Sequence, residues 1–239
     1  MPGGIAGSWV EANVFAQGVT NGFGDWSGLY VRGVRPTPKN TFTVDALRLQ
    51  AFNQTGLLIG AAHRHDWNST FFHVLGANVG SGVPILPDYR VDGLLGVRLG
   101  GRKQWQATGG ASYVKSVTEL SDIAGTASLA WYAPKALVLE VAGRYNISRP
   151  GNIESYRLIQ SATYTPSPRR SFSIRQIQGT EGWQIISAER TLQKFSSGDW
   201  GLAWREKLGA HWALSLQGDR YTNPFYSRTG VTIGAAYYF

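Results

Sequence analysis

The 239-residue chain contains no cysteine, a single methionine and no apolar run near the roughly 18 residues that a bilayer-crossing helix needs. The first absence excludes a disulfide framework and suits a chain that must pass unfolded through an oxidising compartment without mispairing. The third excludes helical membrane spans but not strands. A β-barrel needs only alternate residues apolar, because its backbone groups are satisfied between strands. Mean hydropathy, at −0.18, is therefore no guide. The opening Met1-Pro2-Gly3-Gly4 lacks the basic and apolar segments of a signal peptide. We expect residues 1–6 to be a leader or added remnant on a mature or excised form, and 7–239 to be one domain. Gly-x-Ser-x-Gly elbows and phosphate-binding loops are missing too, and the basic residues form no groove-entering module, so nucleic acid is not an expected partner. No cofactor is implied.

What is present is glycine and aromatics: 30 Gly, 11 Tyr, 10 Phe and 9 Trp. In the last ten residues Val231, Ile233, Ala235, Tyr237 and Phe239 share one face, while Gly230, Thr232, Gly234, Ala236 and Tyr238 share the other. This alternation resembles the closing strand of bacterial outer-membrane proteins. There a terminal Phe with apolar residues at every second position is the signal for the barrel-assembly machinery. The resemblance implies that machinery as a partner, with outer-membrane lipid and lipopolysaccharide as surroundings.

Punctuation recurs along the chain at Pro36-Thr37-Pro38, Asn68-Ser69, Gly101-Arg102-Lys103, Pro134-Lys135, Pro166-Ser167-Pro168 and Leu208-Gly209. The first five lie about 31 to 34 residues apart, room for two strands of about 10 residues, a loop and a tight turn. Six such turns imply seven hairpins. The expected fold is therefore all-β: a transmembrane antiparallel up-and-down β-barrel of fourteen strands, with twelve or sixteen as alternatives. One interval is too long, since 168–209 holds three strand-like runs, 171–178, 183–190 and 199–205. An even total requires one of them to be a bulged strand or an ordered outer loop.

Faces can be assigned along several segments. In 90–99, Val91, Gly93, Leu95, Val97 and Leu99 oppose Arg90, Asp92, Gly96 and Arg98. Leu139 and Val141 oppose Glu140 and Arg144, Leu214 and Leu216 oppose Ser215 and Asp219, and Trp105 and Tyr113 oppose Gln106 and Ser112. The segments 41–52 and 70–80 fit either register. Trp67, Trp105, Trp131, Trp204 and Trp212 lie close to the short turns, as do Phe42, Tyr164 and Phe172, and would form one interfacial girdle on the periplasmic side. The outward connections, 18–25, 53–56, 80–88, 118–121, 148–153 and 223–228, are short and offer little material for a plug. The best inward element is 80–88, which holds Pro84 and Pro87.

Net charge is +8. Part of it sits at the turns in Arg35, Lys39, Arg102, Lys103, Lys135, Arg169, Arg170 and Lys207, as ordinary solvated residues. The rest falls on polar strand faces. Arg32, Arg64, Arg90, Arg98, Arg144, Arg157, Arg175 and Arg205 alternate there with Asp66, Asp92, Glu140 and Asp219, and these twelve are the candidate pore-lining residues. Arginine forks pair with carboxylates on neighbouring strands or with anionic ligands. One expectation is a cross-strand ion-pair network filling a narrow lumen; the other is an electropositive conduit. The histidines are His63, His65, His73 and His211. His63 and His65 share a strand face, a spacing that suits a metal site or a base, yet they sit by a periplasmic turn and are expected to be interfacial, with no catalytic or metal role.

Trp9, then Gly22-Phe23-Gly24-Asp25-Trp26 leading into Leu29-Tyr30-Val31-Arg32-Gly33, and the regular hairpins to Tyr237-Tyr238-Phe239, together resemble the YaiO-type outer-membrane barrels. Related barrels end periplasmic helical-repeat proteins that export exopolysaccharide. The resemblance implies an envelope role such as polysaccharide passage and a periplasmic helical-repeat partner, and it carries over no catalytic residues. Three functions stay in play: a channel for anionic solutes or exopolysaccharide, a non-conducting structural or docking barrel, and an outer-membrane lipid hydrolase.

Overall fold

A computed structural model describes residues 7–116, 119–185 and 191–239. The proposed leader, Thr118 at one loop and 186–190 of the middle strand-like run lie outside these. Fourteen strands run in chain order: β1 Trp9–Val19, β2 Trp26–Pro36, β3 Asn40–Ala51, β4 Gln54–Asp66, β5 Phe71–Gly80, β6 Pro87–Leu99, β7 Trp105–Ser116, β8 Ser121–Ala133, β9 Leu137–Arg149, β10 Ile153–Ser167, β11 Arg170–Ile185, β12 Thr191–Leu208, β13 Trp212–Thr222 and β14 Ser227–Tyr238. Each pairs antiparallel with its neighbour in sequence, and β1 pairs with β14 from Trp9↔Tyr238 to Val19↔Arg228, so the sheet closes as a barrel. Closure removes the edges that an open sheet would expose to lipid.

All six expected short turns connect an even strand to the following odd one, at the end that carries both chain termini. We call this the turn end and the opposite one the loop end. Outward alternation is uninterrupted on β1, where Val10, Ala12, Val14 and Ala16 are exposed between less accessible Glu11, Asn13, Phe15 and Gln17. The two ambiguous segments resolve the same way. Phe42 and Val44 face out against Thr43 and Asp45, and Phe71, Leu75 and Val79 face out against Phe72, Gly76 and Asn78. Their ambiguity came from Leu47, Leu49 and Phe72, which are apolar yet point inward.

Among the described residues, the long interval contains two strands and no third. The run 171–178 and residues 183–185 are one continuous strand, β11, of 16 residues, and 199–205 lies inside β12, of 18 residues. Their register holds from Arg170↔Glu206 through Glu181↔Phe195 to Ile185↔Thr191. Of the middle run, residues 183–185 are the end of β11 rather than a bulged strand or separate outer loop, and 186–190 lie outside the described residues. Gly179 sits within the β11–β12 hairpin at φ 154°, a value closed to most side chains, where a Cβ would run into the Tyr156 carbonyl oxygen. The connection expected at 53–56 is also tighter: Phe52 and Asn53 form a two-residue turn, and Gly56 already belongs to β4.

Candidate functional site

Register places all twelve candidate charged residues on the inner face, opposite in parity to the lipid-facing apolar set. Seven of the eight arginines have a carboxylate within ion-pair distance. Arg32 meets Asp45 at 4.0 Å, Arg64 meets Asp66 at 3.2 Å, Arg90 meets Asp92 at 2.6 Å, and Arg157 meets Glu181 at 2.5 Å. Arg175 meets Asp199 at 3.0 Å, Arg205 meets Glu11 at 3.1 Å, and Arg98 shares Asp66 with Arg64. Arg144 is the exception: it donates to Ser112 Oγ at 3.0 Å and, among the described residues, has no carboxylate partner. Asp219 accepts from Gln17 Nε2 at 2.9 Å, while Glu140 stands exposed on the inner wall. Mid-lumen charge is therefore largely neutralised in place.

The excess positive charge collects at the turn end. A cavity of about 1230 Å³ opens there, lined by Lys39, Arg64, Asp66, Arg98, Arg102 and Lys103 together with Gln104, Gln106, Trp131 and Tyr132. Its wall is built around Phe72, a lumen-facing ring that is 2 % exposed. Arg64 lies over that ring at 3.9 Å and Arg98 at 5.0 Å, and both guanidiniums grip Asp66. Gly96, across the ladder, leaves room for the ring; a methyl group there would run into it. Arg98 also donates to the Ser69 carbonyl at 3.3 Å, so the pair of forks is fixed from two sides.

The loop end is built differently. Trp26, Ala51, Phe52, Phe195, Tyr221 and Tyr226 bury one another there, with Val19, Phe23, Leu49 and Ile85 packed against them. These side chains come from strand ends and turns on β1 to β4 and β12 to β14. Ile85 comes from the 80–88 connection, which turns inward. Phe52 holds φ 50°, unusual for a bulky residue, while its ring stacks edge-on to Trp26 at 4.8 Å. Tyr226 is 2 % exposed, accepts from Gln184 Nε2, and its hydroxyl pKa is raised by burial. Tyr221 donates to Glu181 Oε1 at 2.8 Å, and Arg228 lies over Trp26 at 4.4 Å and Tyr221 at 5.1 Å. The tall β11–β12 hairpin leans in beside this cluster, with Gly182 so close to Ser148 that a methyl group would not fit. Beneath it a polar pocket of about 170 Å³ is lined by Asp122, Arg144, Asn146, Ser148, Arg157 and Glu181.

The short loops gave no sign of this cluster, because its side chains are aromatics at strand ends and tight turns. Also missed were the acidic partners Glu11, Asp45, Asp122, Glu181 and Asp199. Glu11 lay in a cleanly alternating run and was legible; Glu181 stood in the misjudged hairpin.

Outside, Trp67, Trp105, Trp131, Trp204 and Trp212 all face away from the lumen at the turn end, with Trp105 stacked on Trp131 at 5.7 Å and Trp212 against Tyr237 at 5.0 Å. Val231, Ile233, Ala235, Tyr237 and Phe239 face the same way on β14. His63, His65 and His73 form an outward cluster with ring centroids 5.7 to 6.2 Å apart, tied to Asn40 Oδ1 by His63 Nε2 at 3.0 Å and His65 Nδ1 at 2.8 Å. Among the described residues, no group of His, Asp or Glu is arranged to hold a metal ion. His211 Nδ1 lies 2.8 Å from the Tyr238 carbonyl.

No curated protein matches the sequence significantly. Among solved structures, the CymD monoaromatic hydrocarbon channel superposes with a TM-score of 0.64 at 8% identity, over 98% of this chain and 88% of that one. A bacterial polysaccharide outer membrane secretin gives 0.60 at 8% identity over 99% and 100%, and Omp33 of Acinetobacter baumannii gives 0.56 at 10% over 99% and 100%. At such identities the likeness is one of fold. The sequence profile of the YaiO membrane beta barrel domain matches residues 9–183. With its closed fourteen-strand wall, outward apolar belt and aromatic girdle, the chain belongs to the YaiO membrane β-barrel family of the bacterial outer membrane.

Proposed function

We propose that this barrel is a conduit across the outer membrane that takes anionic solutes or exported polysaccharide from the periplasmic side. The observation that carries this reading is the wide, basic cavity at the turn end, which faces the periplasm when the short turns do. Like charges around a mouth raise the local concentration of counter-ions and bias which ions proceed. The tyrosine and tryptophan rings at the loop end would then act as the outer constriction. Lipid and lipopolysaccharide would surround the apolar belt, the assembly machinery would read the strand ending at Phe239, and a periplasmic helical-repeat partner would dock on the turn-end rim.

A second reading, a non-conducting structural or docking barrel, is favoured by the pairing of seven lumen arginines and by the aromatic cover. Single-channel conductance of refolded protein in a planar bilayer under a salt gradient separates the two. Anion-selective steps are expected from a conduit. Silence from protein shown to be inserted and folded would sink that reading in favour of the second. The lipid-hydrolase reading draws least support, since His63, His65 and His73 partner Asn40 and aromatic rings at the turn end, away from the outer leaflet.

A further inference from the structure

We propose that the turn-end cavity is a binding site for a carboxylated polysaccharide, a polymer bearing uronic acid groups at intervals. The site deepens the conduit reading, on which it rests, by supplying its intake. Three observations converge on this ligand class.

First, the cations outnumber the acids and are dispersed. Lys39 lies between β2 and β3, Arg64 on β4, Arg98 on β6, and Arg102 and Lys103 between β6 and β7, around one cavity whose only lining carboxylate among the described residues is Asp66. A small anion would satisfy one of these groups. A chain with repeated carboxylates satisfies several at once, and each added contact raises affinity through effective concentration. Second, the two arginines are already arranged for carboxylate. Asp66 accepts from Arg64 Nε at 3.3 Å and from Arg64 Nη2 at 3.2 Å, and also from Arg98, yet one carboxylate cannot saturate two five-donor forks. Both side chains line the cavity, Arg64 at 31% exposed being the more accessible of the two. Stacking on Phe72 limits the entropy that these long side chains lose when a ligand arrives. Third, Tyr132, on the inner face of β8, lines the same cavity beside Gln104 and Gln106. A flat ring next to amide donors and acceptors suits the apolar faces and hydroxyl edges of pyranose sugars, whereas a simple oxyanion would use only the amide donors.

The test is calorimetric titration of the folded, detergent-solubilised protein with a hexamer of glucuronic acid, with its methyl ester, and with sodium sulfate as competitor. The hexamer is expected to bind, with affinity falling as salt rises, because the attraction is screened. The ester, equal in shape but uncharged, is expected to bind at least about tenfold more weakly, and replacing Arg64→Gln with Arg98→Gln should weaken the hexamer by a similar factor. Because those two arginines also hold Asp66 and Phe72, a second variant carries Lys39→Gln, Arg102→Gln and Lys103→Gln, all at exposed turns. It should lose affinity with an unchanged heat-dependent gel shift. Equal binding of hexamer and ester, parental affinity in both variants, or full displacement by sulfate at matched charge would each overturn the proposal. Planar-bilayer recordings keep it separate from the conduit reading. Binding without conductance leaves the site and removes the conduit; conductance without binding does the reverse.

Discussion

The two mouths of this barrel solve opposite problems with different chemistry. At the turn end, polar forks are held around a buried ring, leaving a wide opening whose charge is not fully compensated. At the loop end, Trp26, Phe52, Phe195, Tyr221 and Tyr226 fill space with aromatic area, with Arg228 laid over two of the rings and Arg157 paired with Glu181 nearby. The difference shows where a β-barrel of modest circumference can place selectivity and where it can place resistance. Hydrogen-bonded arginine keeps a mouth wet and open, whereas packed aromatics exclude water.

That contrast is broken most severely by opening the loop end. Tyr226→Ala removes a fully buried ring, a truncation of the kind that costs about 3–5 kcal/mol. In planar bilayers it should raise conductance several-fold; parental conductance in the folded variant would show that the aromatic cluster is no barrier. Phe52→Asn is a gentler version, because Asn tolerates the positive φ of the turn while giving up the ring, so conductance should rise with less loss of melting temperature.

Next in size is Gly96→Ala at the other mouth. The added methyl would displace Phe72 and unseat both arginines, costing about 1–3 kcal/mol by overpacking. Thermal unfolding measures the cost, and a reduced anion preference in the reversal potential measures the displaced forks. A variant with parental melting and selectivity would mean that the ring does not organise the vestibule.

Within the lumen, Arg144→Gln and Arg205→Gln form an informative pair. Arg144 lacks a carboxylate partner, so its loss should weaken anion preference and change stability by less than about 1 kcal/mol. Arg205 neutralises Glu11 and also donates to the Tyr238 hydroxyl at 2.7 Å; its loss leaves a partly buried carboxylate unpaired, at about 1–3 kcal/mol. Equal melting temperatures for the two would contradict the pairing scheme. The smallest effect belongs to Arg35→Gln, on the outer face near the turn end, where stability should stay within about 0.5 kcal/mol and ion selectivity should not move.

Much of the wall was legible because lipid and lumen impose alternation on adjacent residues. Glycine or proline marked five of the six short turns and Asn68-Ser69 the sixth, and the inward direction of Arg90, Arg98, Arg144 and Asp219 followed from their apolar neighbours. Reading became harder where the inner face is itself apolar. Leu47, Leu49 and Phe72 blurred the pattern on β3 and β5, and Trp183 and Phe195 made one tall hairpin look like an extra strand. The loop-end cluster escaped notice for a related reason. Its rings are far apart in sequence, and nothing in the local pattern of Trp26, Phe52 or Tyr226 says that they meet. The vestibule was half visible: Lys39, Arg102 and Lys103 were read as solvated turn residues, because their convergence with Arg64 and Arg98 depends on barrel closure.

The seam between β1 and β14 carries a consequence for how the chain reaches this state. Every other ladder joins strands adjacent in sequence and can form as a local hairpin, but Trp9 must find Tyr238, and Thr20 must find Ser227, 207 residues along the chain. Closing so long a loop costs on the order of 5 kcal/mol of chain entropy before its contacts repay it, and such distant pairings slow folding. The barrel therefore behaves as a zipper of thirteen quick teeth and one late latch. Until that latch catches, β1 and β14 present their bare backbone edges to any strand that will pair with them, which makes the last step the one where an assembly catalyst gains most and misassociation is most dangerous.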